Sequence, residues 1–311
     1  MKSPKQALAE NEHYTPLLLN PGTIAYFDSY INHSQPAEFR ARMLHQVLLS
    51  PAFLGIEYFA TDTLTAEHVL QQKSANCLGF ANAYIALARH YGLKAHFQIV
   101  EKYPQWDRNG AMVSMNIHVN SVIDLSTNKR LVVEINSSRL QGTIQATTIG
   151  DKQAAGLFYN NLAMSALANG EHYKAYRLLT KAIALFPQKA SFWSNLGATY
   201  KANQQLIEAE KSYLTAIAID PFAYAAINNL ATLYDQQGQT DNAEIFLTRL
   251  GKLRQKNPYY FYSLAKEAEL SSDYLLAKKL VLKAINLKAD EPLFEDFLAR
   301  ILLQEDLLAI N

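Results

Sequence analysis

The chain has 311 residues, with 29 basic against 28 acidic side chains and no block of like charge, which argues against nucleic acid or an anionic membrane surface as its main partner. Its length exceeds one typical core and fits about two domains. The single cysteine excludes an internal disulfide, and no run reaches the roughly 18 apolar residues needed to span a bilayer.

The opening stretch, MKSPKQALAENEHYTP, has no apolar core of the signal-peptide kind, so the sequence as written shows no export signal. Residues 14–70 read as a helical lead-in, with PAEFRARMLHQVLL amphipathic and TAEHVLQQ running toward the cysteine. No chemistry is assigned to them.

KSANCLGFANAYIALARHYGLKA, residues 73–95, carries Cys77 where a polar stretch becomes an amphipathic helix. Phe80, Ala83, Tyr84, Leu87 and Ala88 recur at helical spacing, and Gly92 is the expected C-cap. Asn76 or Ser74 serves as N-cap, so Cys77 falls in the first turn. There the unpaired N–H groups and the positive end of the helix dipole favour a thiolate and stabilise a developing oxyanion. The plain alternative is a small buried hydrophobe, the usual role of a free cysteine.

Three stretches with period-2 alternation follow: KAHFQIVEKY, SMNIHVNSVIDLS and KRLVVEINSS. The expectation is the cysteine helix backed by an antiparallel sheet. In the middle strand His118 shares a polar face with Asn116 and Asn120, unlike a packed core residue. In the third, Val133 and Ile135 alternate with Glu134 and Asn136, and the turn STNK makes the last two strands antiparallel neighbours. Glu134, Asn136 or, ranked lower, Asp124 is then the candidate to accept a hydrogen bond from His118 and hold its tautomer. EKYPQWDRNGAM, residues 101–112, is a polar and aromatic excursion between strands, either a loop overhanging the thiol or a surface hairpin. His13, His33, His45, His68, His90, His96 and His172 form no metal-ligand spacing, so neither a metal nor another cofactor is expected.

The order of a helix-borne cysteine, a strand-borne histidine and a polar or acidic residue on the next strand resembles the transglutaminase-like superfamily of papain-type thiol enzymes. The resemblance covers roughly residues 40–140 and rests on NCLGFANAYIALARHYGLKA, NIHVN and LVVEIN. The family run A-R-x-x-G-[IL]-x-A is matched by Ala88, Arg89, Gly92, Leu93 and Ala95. Two departures are visible: no aromatic residue follows His118 in the usual H-x-W manner, and Glu134 or Asn136 stands where the family has aspartate. Bacterial members with C-terminal repeats look closer still; on that alignment Glu134 replaces the aspartate and Asn136 is the shared asparagine. The resemblance implies attack by Cys77 on an amide or ester carbonyl, a thioester intermediate and proton shuttling by His118. It also implies a periplasmic or envelope-associated location. Gln71, six residues before the cysteine, sits where papain-like proteases place an oxyanion-hole glutamine; otherwise it is a solvated loop residue.

From about residue 156, Ala175, Ala209, Ala243 and Ala277 recur every 34 residues. Leu162, Leu196, Leu230 and Leu264 keep the same frame, each followed by a small residue: Ala163, Gly197, Ala231 and Ala265. Three before each leucine stand Tyr159, Trp193, Ile227 and Phe261, and Pro187 and Pro221 stop the second helices of the first two units. The pattern resembles tetratricopeptide repeats. It departs later, where Leu250 replaces a helix B alanine and the prolines arrive late at Pro258 and Pro292. Four repeats are expected at about 156–189, 190–223, 224–257 and 258–291, closed by a helix over 293–308. The resemblance implies a short right-handed superhelix with a concave groove for a peptide or helix. Asn160, Asn161, Asn195, Asn228 and Asn229 are candidate groove residues, though asparagine before the leucine also belongs to the ordinary pattern.

The expected architecture is therefore an α+β domain over residues 1–150, followed by an all-α repeat superhelix over 151–311. The functional reading is a thiol hydrolase or acyltransferase on peptide or protein amides through Cys77, His118 and Glu134 or Asn136. The repeats bind a protein or peptide partner. The alternative is a non-catalytic binding scaffold with a degenerate thiol domain.

Overall fold

Pro21 starts helix α1 (Pro21–Asp28), where its missing N–H costs no helical hydrogen bond. The computed structural model describes residues 15–59, 63–101, 107–109, 112–114, 118–135 and 145–310. Helix α2 (Ala37–Leu49) buries Ala41, Leu44, Val47 and Leu48, a stripe at helical spacing. Strand β1 (Glu57–Tyr58) follows. Helix α3 (Ala66–Gln72) is capped by Thr65 and ended by Lys73 in the left-handed region, φ 54°. Residues 74–75 then form β2 (Ser74–Ala75), parallel to β1, with Glu57 N–H donating to Lys73 at 3.0 Å and Phe59 N–H to Ala75 at 2.9 Å. The approach to the cysteine is thus a pinned strand, and Asn76 is delivered as the cap of helix α4 (Cys77–His90).

Every residue of α4 from Leu78 to Ala88 is buried, so the helix is enclosed on all sides and is not amphipathic. The reason is that α2, α3 and the sheet all pack on it, leaving no wet face. It ends where expected: Gly92 takes φ +71°, Gly92 N–H donates to Arg89 at 3.0 Å and Leu93 N–H to Ala88 at 2.9 Å, the Schellman pattern.

The main sheet has four strands in the order β7-β6-β3-β8: β3 (Lys94–Glu101), β6 (His118–Ser126), β7 (Lys129–Val133) and β8 (Gln145–Ile149). β8 has no counterpart in the sequence reading. β3 and β6 are antiparallel, with Val100 opposite His118 and Ala95 opposite Ile123. β6 and β7 are antiparallel with Ser121 opposite Val133, and their register shifts between Asp124 and Ser126. Between β3 and β6, β4 (Asp107–Asn109) and β5 (Met112–Ser114) pair as an antiparallel hairpin, while Trp106 and Gly110 lie outside the described residues.

Helices α5 (Asp151–Ala168), α6 (His172–Leu185), α7 (Ala190–Ala202), α8 (Leu206–Ile219), α9 (Tyr224–Gln236), α10 (Thr240–Gln255), α11 (Pro258–Leu270), α12 (Tyr274–Leu287) and α13 (Pro292–Ile310) follow. The alanines of the 34-residue frame are all buried, as are Leu196, Leu230, Ile227 and Phe261. Pro187 and Pro221 follow two residues after the ends of α6 and α8, whereas Pro258 and Pro292 open the next helices. The chain is an α+β domain built on a small antiparallel sheet, then a run of repeat helices.

Two compact units are present: among the described residues the first takes in 15–100, 118–135 and 146–212, and the second takes in 101–114, 145 and 213–310. In the first, one apolar core runs from Phe27, Phe80, Tyr84 and Ile123 to Leu157, Tyr176 and Leu196, so helices α5, α6 and α7 share their interior with the sheet and the cysteine helix. In the second, Phe261, Val281, Phe294, Phe297 and Ile301 form a core closed by α13. Among the described residues no helix is long and apolar enough to cross a membrane.

Candidate functional site

Cys77 occupies the first position of α4 and is partly exposed as a free thiol. Asn76 caps the helix through Oδ1, which accepts from Gly79 N–H at 2.8 Å. The N–H groups of the first turn have no carbonyl one turn earlier to bond, so the sulfur sits beside a row of donors at the positive end of the dipole.

His118 begins β6 and Glu134 follows β7. Extending the Ser121–Val133 register puts Glu134 across from Asn120, on the face that alternation also assigns to His118. His118 Nε2 lies 2.8 and 2.7 Å from the two Glu134 oxygens, and Asn120 Nδ2 donates to Oε1 at 2.9 Å. A carboxylate only accepts, so Nε2 carries the proton, which leaves Nδ1 for the hydrogen bond with Cys77. The polar face of β6 is not a wet one: His118, Asn120 and Glu134 are 6%, 3% and 8% exposed. Their mutual hydrogen bonds pair the imidazole, the carboxylate and Asn120 Nδ2, while Asn120 Oδ1 is buried without a partner. From α2, His45 Nε2 reaches the Glu134 carbonyl at 3.4 Å.

Burial alone pulls the imidazolium down. The hydrogen bonds to Cys77 and Glu134, with attraction from the same two groups, outweigh it and raise the His118 pKa from 6.5 to about 9. Because the folded value lies above the free one, protonated His118 stabilises the fold fully below about pH 6.5, and the contribution fades as pH rises through about 9. The difference is on the order of 2–3 kcal/mol. Denaturant unfolding of the wild type and of His118→Gln at about pH 6 and about pH 10 should show the wild type's advantage shrinking by that order; a constant gap would remove the linkage.

Residues 31–127 match the transglutaminase-like superfamily, and residues 178–211 and 212–245 match the tetratricopeptide repeat. The chain carries a transglutaminase-like domain followed by tetratricopeptide repeats. No curated protein matches the sequence. Similar solved structures include one from the functional characterization of Pseudomonas aeruginosa pilF, at 21% identity over 50% of this chain and 72% of that one, with a TM-score of 0.33. The Cut9–Hcn1 hetero-tetramer of APC/C is similar at 21% identity, over 43% of this chain and 26% of that one, with a TM-score of 0.31. MamA is similar at 19% identity, over 45% of this chain and 81% of that one, with a TM-score of 0.31.

Within the transglutaminase-like domain, Cys77, His118 and Glu134 come together, while Asn136 lies outside the described residues. Asp124 shares the His118 face of β6 but lies six residues along the strand from His118, bound to Arg130 at 2.8 Å and His96 at 3.2 Å. Gln71 is exposed on α3 and donates to Glu67 at 2.9 Å. Among the described residues no cluster of His, Cys, Asp and Glu is arranged to hold a metal ion. Thr63, buried at 4% exposure, accepts from Asn76 Nδ2 at 2.6 Å and from Asn161 Nδ2 at 3.1 Å. No sequence signal marks it, because its partners are distant along the chain. Of the tetratricopeptide asparagines, Asn195 Nδ2 donates to Asn160 Oδ1 at 2.8 Å.

Proposed function

We propose that the chain is a thiol-dependent hydrolase or acyltransferase acting on peptide or protein amide bonds, with its repeats binding the protein or peptide that presents the substrate. The observation that carries the reading is His118, held between Cys77 on one side and Glu134 on the other. Cys77 Sγ attacks the carbonyl carbon, and the oxyanion is met by N–H groups of the α4 first turn, which lack intrahelical acceptors. As the C–N bond breaks, His118 gives its Nδ1 proton to the departing amine and a thioester remains. Water or a second amine then attacks the thioester, returns a proton to His118 and releases the Cys77 thiolate. Glu134 holds the ring through Nε2–H, and Asn120 holds Glu134. Glutamate is one methylene longer than the aspartate usual in this superfamily, and it stands just past the end of β7.

Cys77 is the only cysteine, so alkylation reports this site alone. An imidazolium beside the sulfur draws anionic iodoacetate more strongly than neutral iodoacetamide. The ratio of their rates should therefore fall by about threefold or more as pH rises through about 9 and His118 loses its charge. A ratio independent of pH would leave Cys77 without its partner and favour the scaffold reading.

A further inference from the structure

Thr63 sits where the first repeat and the nucleophile helix meet. Its Oγ1 accepts two hydrogen bonds, one from each side: Asn76 Nδ2 at 2.6 Å and Asn161 Nδ2 at 3.1 Å. A hydroxyl oxygen has two lone pairs, so both bonds are satisfied at once. Asn76 is the N-cap of α4, and because its Oδ1 is taken by Gly79 N–H, its Nδ2 is the end turned toward Thr63. Asn161 belongs to α5, the first repeat helix, 98 residues further along the chain.

The segment carrying Thr63 lies close along α4. A Cβ built on Gly79 would meet Leu64 N at 3.4 Å and Val69 Cγ2 at 3.3 Å, and Asn82 Nδ2 donates to Leu64 O at 3.3 Å. The far end of α4 is tied to the same repeat helix: Arg89 Nη1 and Nη2 bind the Asp151 carboxylate at 2.6 and 2.8 Å. Helix α4 is thus bound to α5 at both ends, through a fork of two charged hydrogen bonds at its C-terminus and through Thr63 at the turn that carries Cys77.

From this arrangement we infer that Asn161 and Thr63 are positioning residues for Cys77: the first repeat, acting through Thr63, fixes the cap of the nucleophile helix. The inference rests on Cys77 being the nucleophile. Both residues act through Asn76. They act by holding the Asn76 amide so that its oxygen stays on Gly79 N–H, which leaves the remaining first-turn N–H groups and the dipole aligned beneath the thiol. The repeat is then part of the reactive apparatus and not only a tether for partners.

The test uses the full chain and the rate of Cys77 alkylation by iodoacetamide near neutral pH, with the thermal midpoint measured alongside. Thr63→Val and Asn161→Ala should each slow alkylation by about threefold to tenfold, the range associated with losing a helix cap. The double variant should be no slower than the slower single one, because both act through one link. Thr63→Ser keeps the hydroxyl and should stay within about twofold of the wild type. Asn161 is on the surface of α5, so Asn161→Ala keeps the experiment decisive if Thr63→Val fails to fold. Variants with a lowered midpoint and an unchanged rate would overturn the inference and leave a structural contact. If His118→Ala slows alkylation while Thr63→Val and Asn161→Ala do not, the positioning role falls alone. If His118→Ala leaves the rate unchanged as well, the reading of Cys77 as nucleophile falls with it.

Discussion

Removing the imidazole should be the most damaging single change to chemistry at Cys77: His118→Ala is expected to slow acylation of the thiol by p-nitrophenyl acetate by about 10²-fold or more near neutral pH. Two losses combine. The sulfur loses the group that takes and returns its proton, and it loses the positive charge that stands beside it. The dipole of α4 remains, so residual reactivity above that of a small thiol is expected even without His118. Cys77→Ala should abolish the burst of nitrophenolate and the acetylated protein mass together, since no other thiol exists in the chain. His118→Gln, closer in size, guards against collapse of the pocket as the cause. Should His118→Ala acylate at the wild-type rate, the imidazole has no part in the chemistry.

Glu134→Ala should be the most destabilising of the site substitutions, by about 3 kcal/mol in denaturant unfolding of the first unit. The carboxylate is buried and holds two other buried groups, His118 at 2.7 Å and Asn120 at 2.9 Å. Deleting it leaves an imidazolium and an amide without their acceptor, and an unpaired buried charge costs far more than a missing surface pair. The comparison is internal. Lys129 also pairs with a glutamate, Glu38, but both side chains are well exposed, so Lys129→Ala should cost little or nothing measurable. Glu134→Gln keeps one acceptor oxygen for two donors and should fall between the two. A Glu134→Ala loss no larger than that of Lys129→Ala would mean the buried triad contributes nothing beyond a surface contact.

What the sequence by itself determined is whatever repeats or is local. The 34-residue frame is legible because each repeat buries the same positions against its neighbours, so Ala175, Ala209, Ala243 and Ala277 are all in cores for the same reason. Cys77 at a helix start is legible because Asn76 and Gly92 bracket α4 with local capping chemistry. The full burial of α4 was not, since a period of apolar residues shows one buried face and cannot count how many elements close around the rest.

That Glu134 meets His118 was decided by tertiary structure. The turn alone pairs Ser126 with Lys129, and continuing that register would set Glu134 opposite Ser121, on the face away from His118. The shift between Asp124 and Ser126 moves the pairing by one residue, sets Asp124 opposite Arg130 and brings Glu134 to the face of His118. A one-residue slip exchanges the two faces of a strand, and nothing in an alternating pattern reveals a bulge. Thr63 was equally hidden, because its two amide partners lie 13 and 98 residues away and only folding brings them to one oxygen.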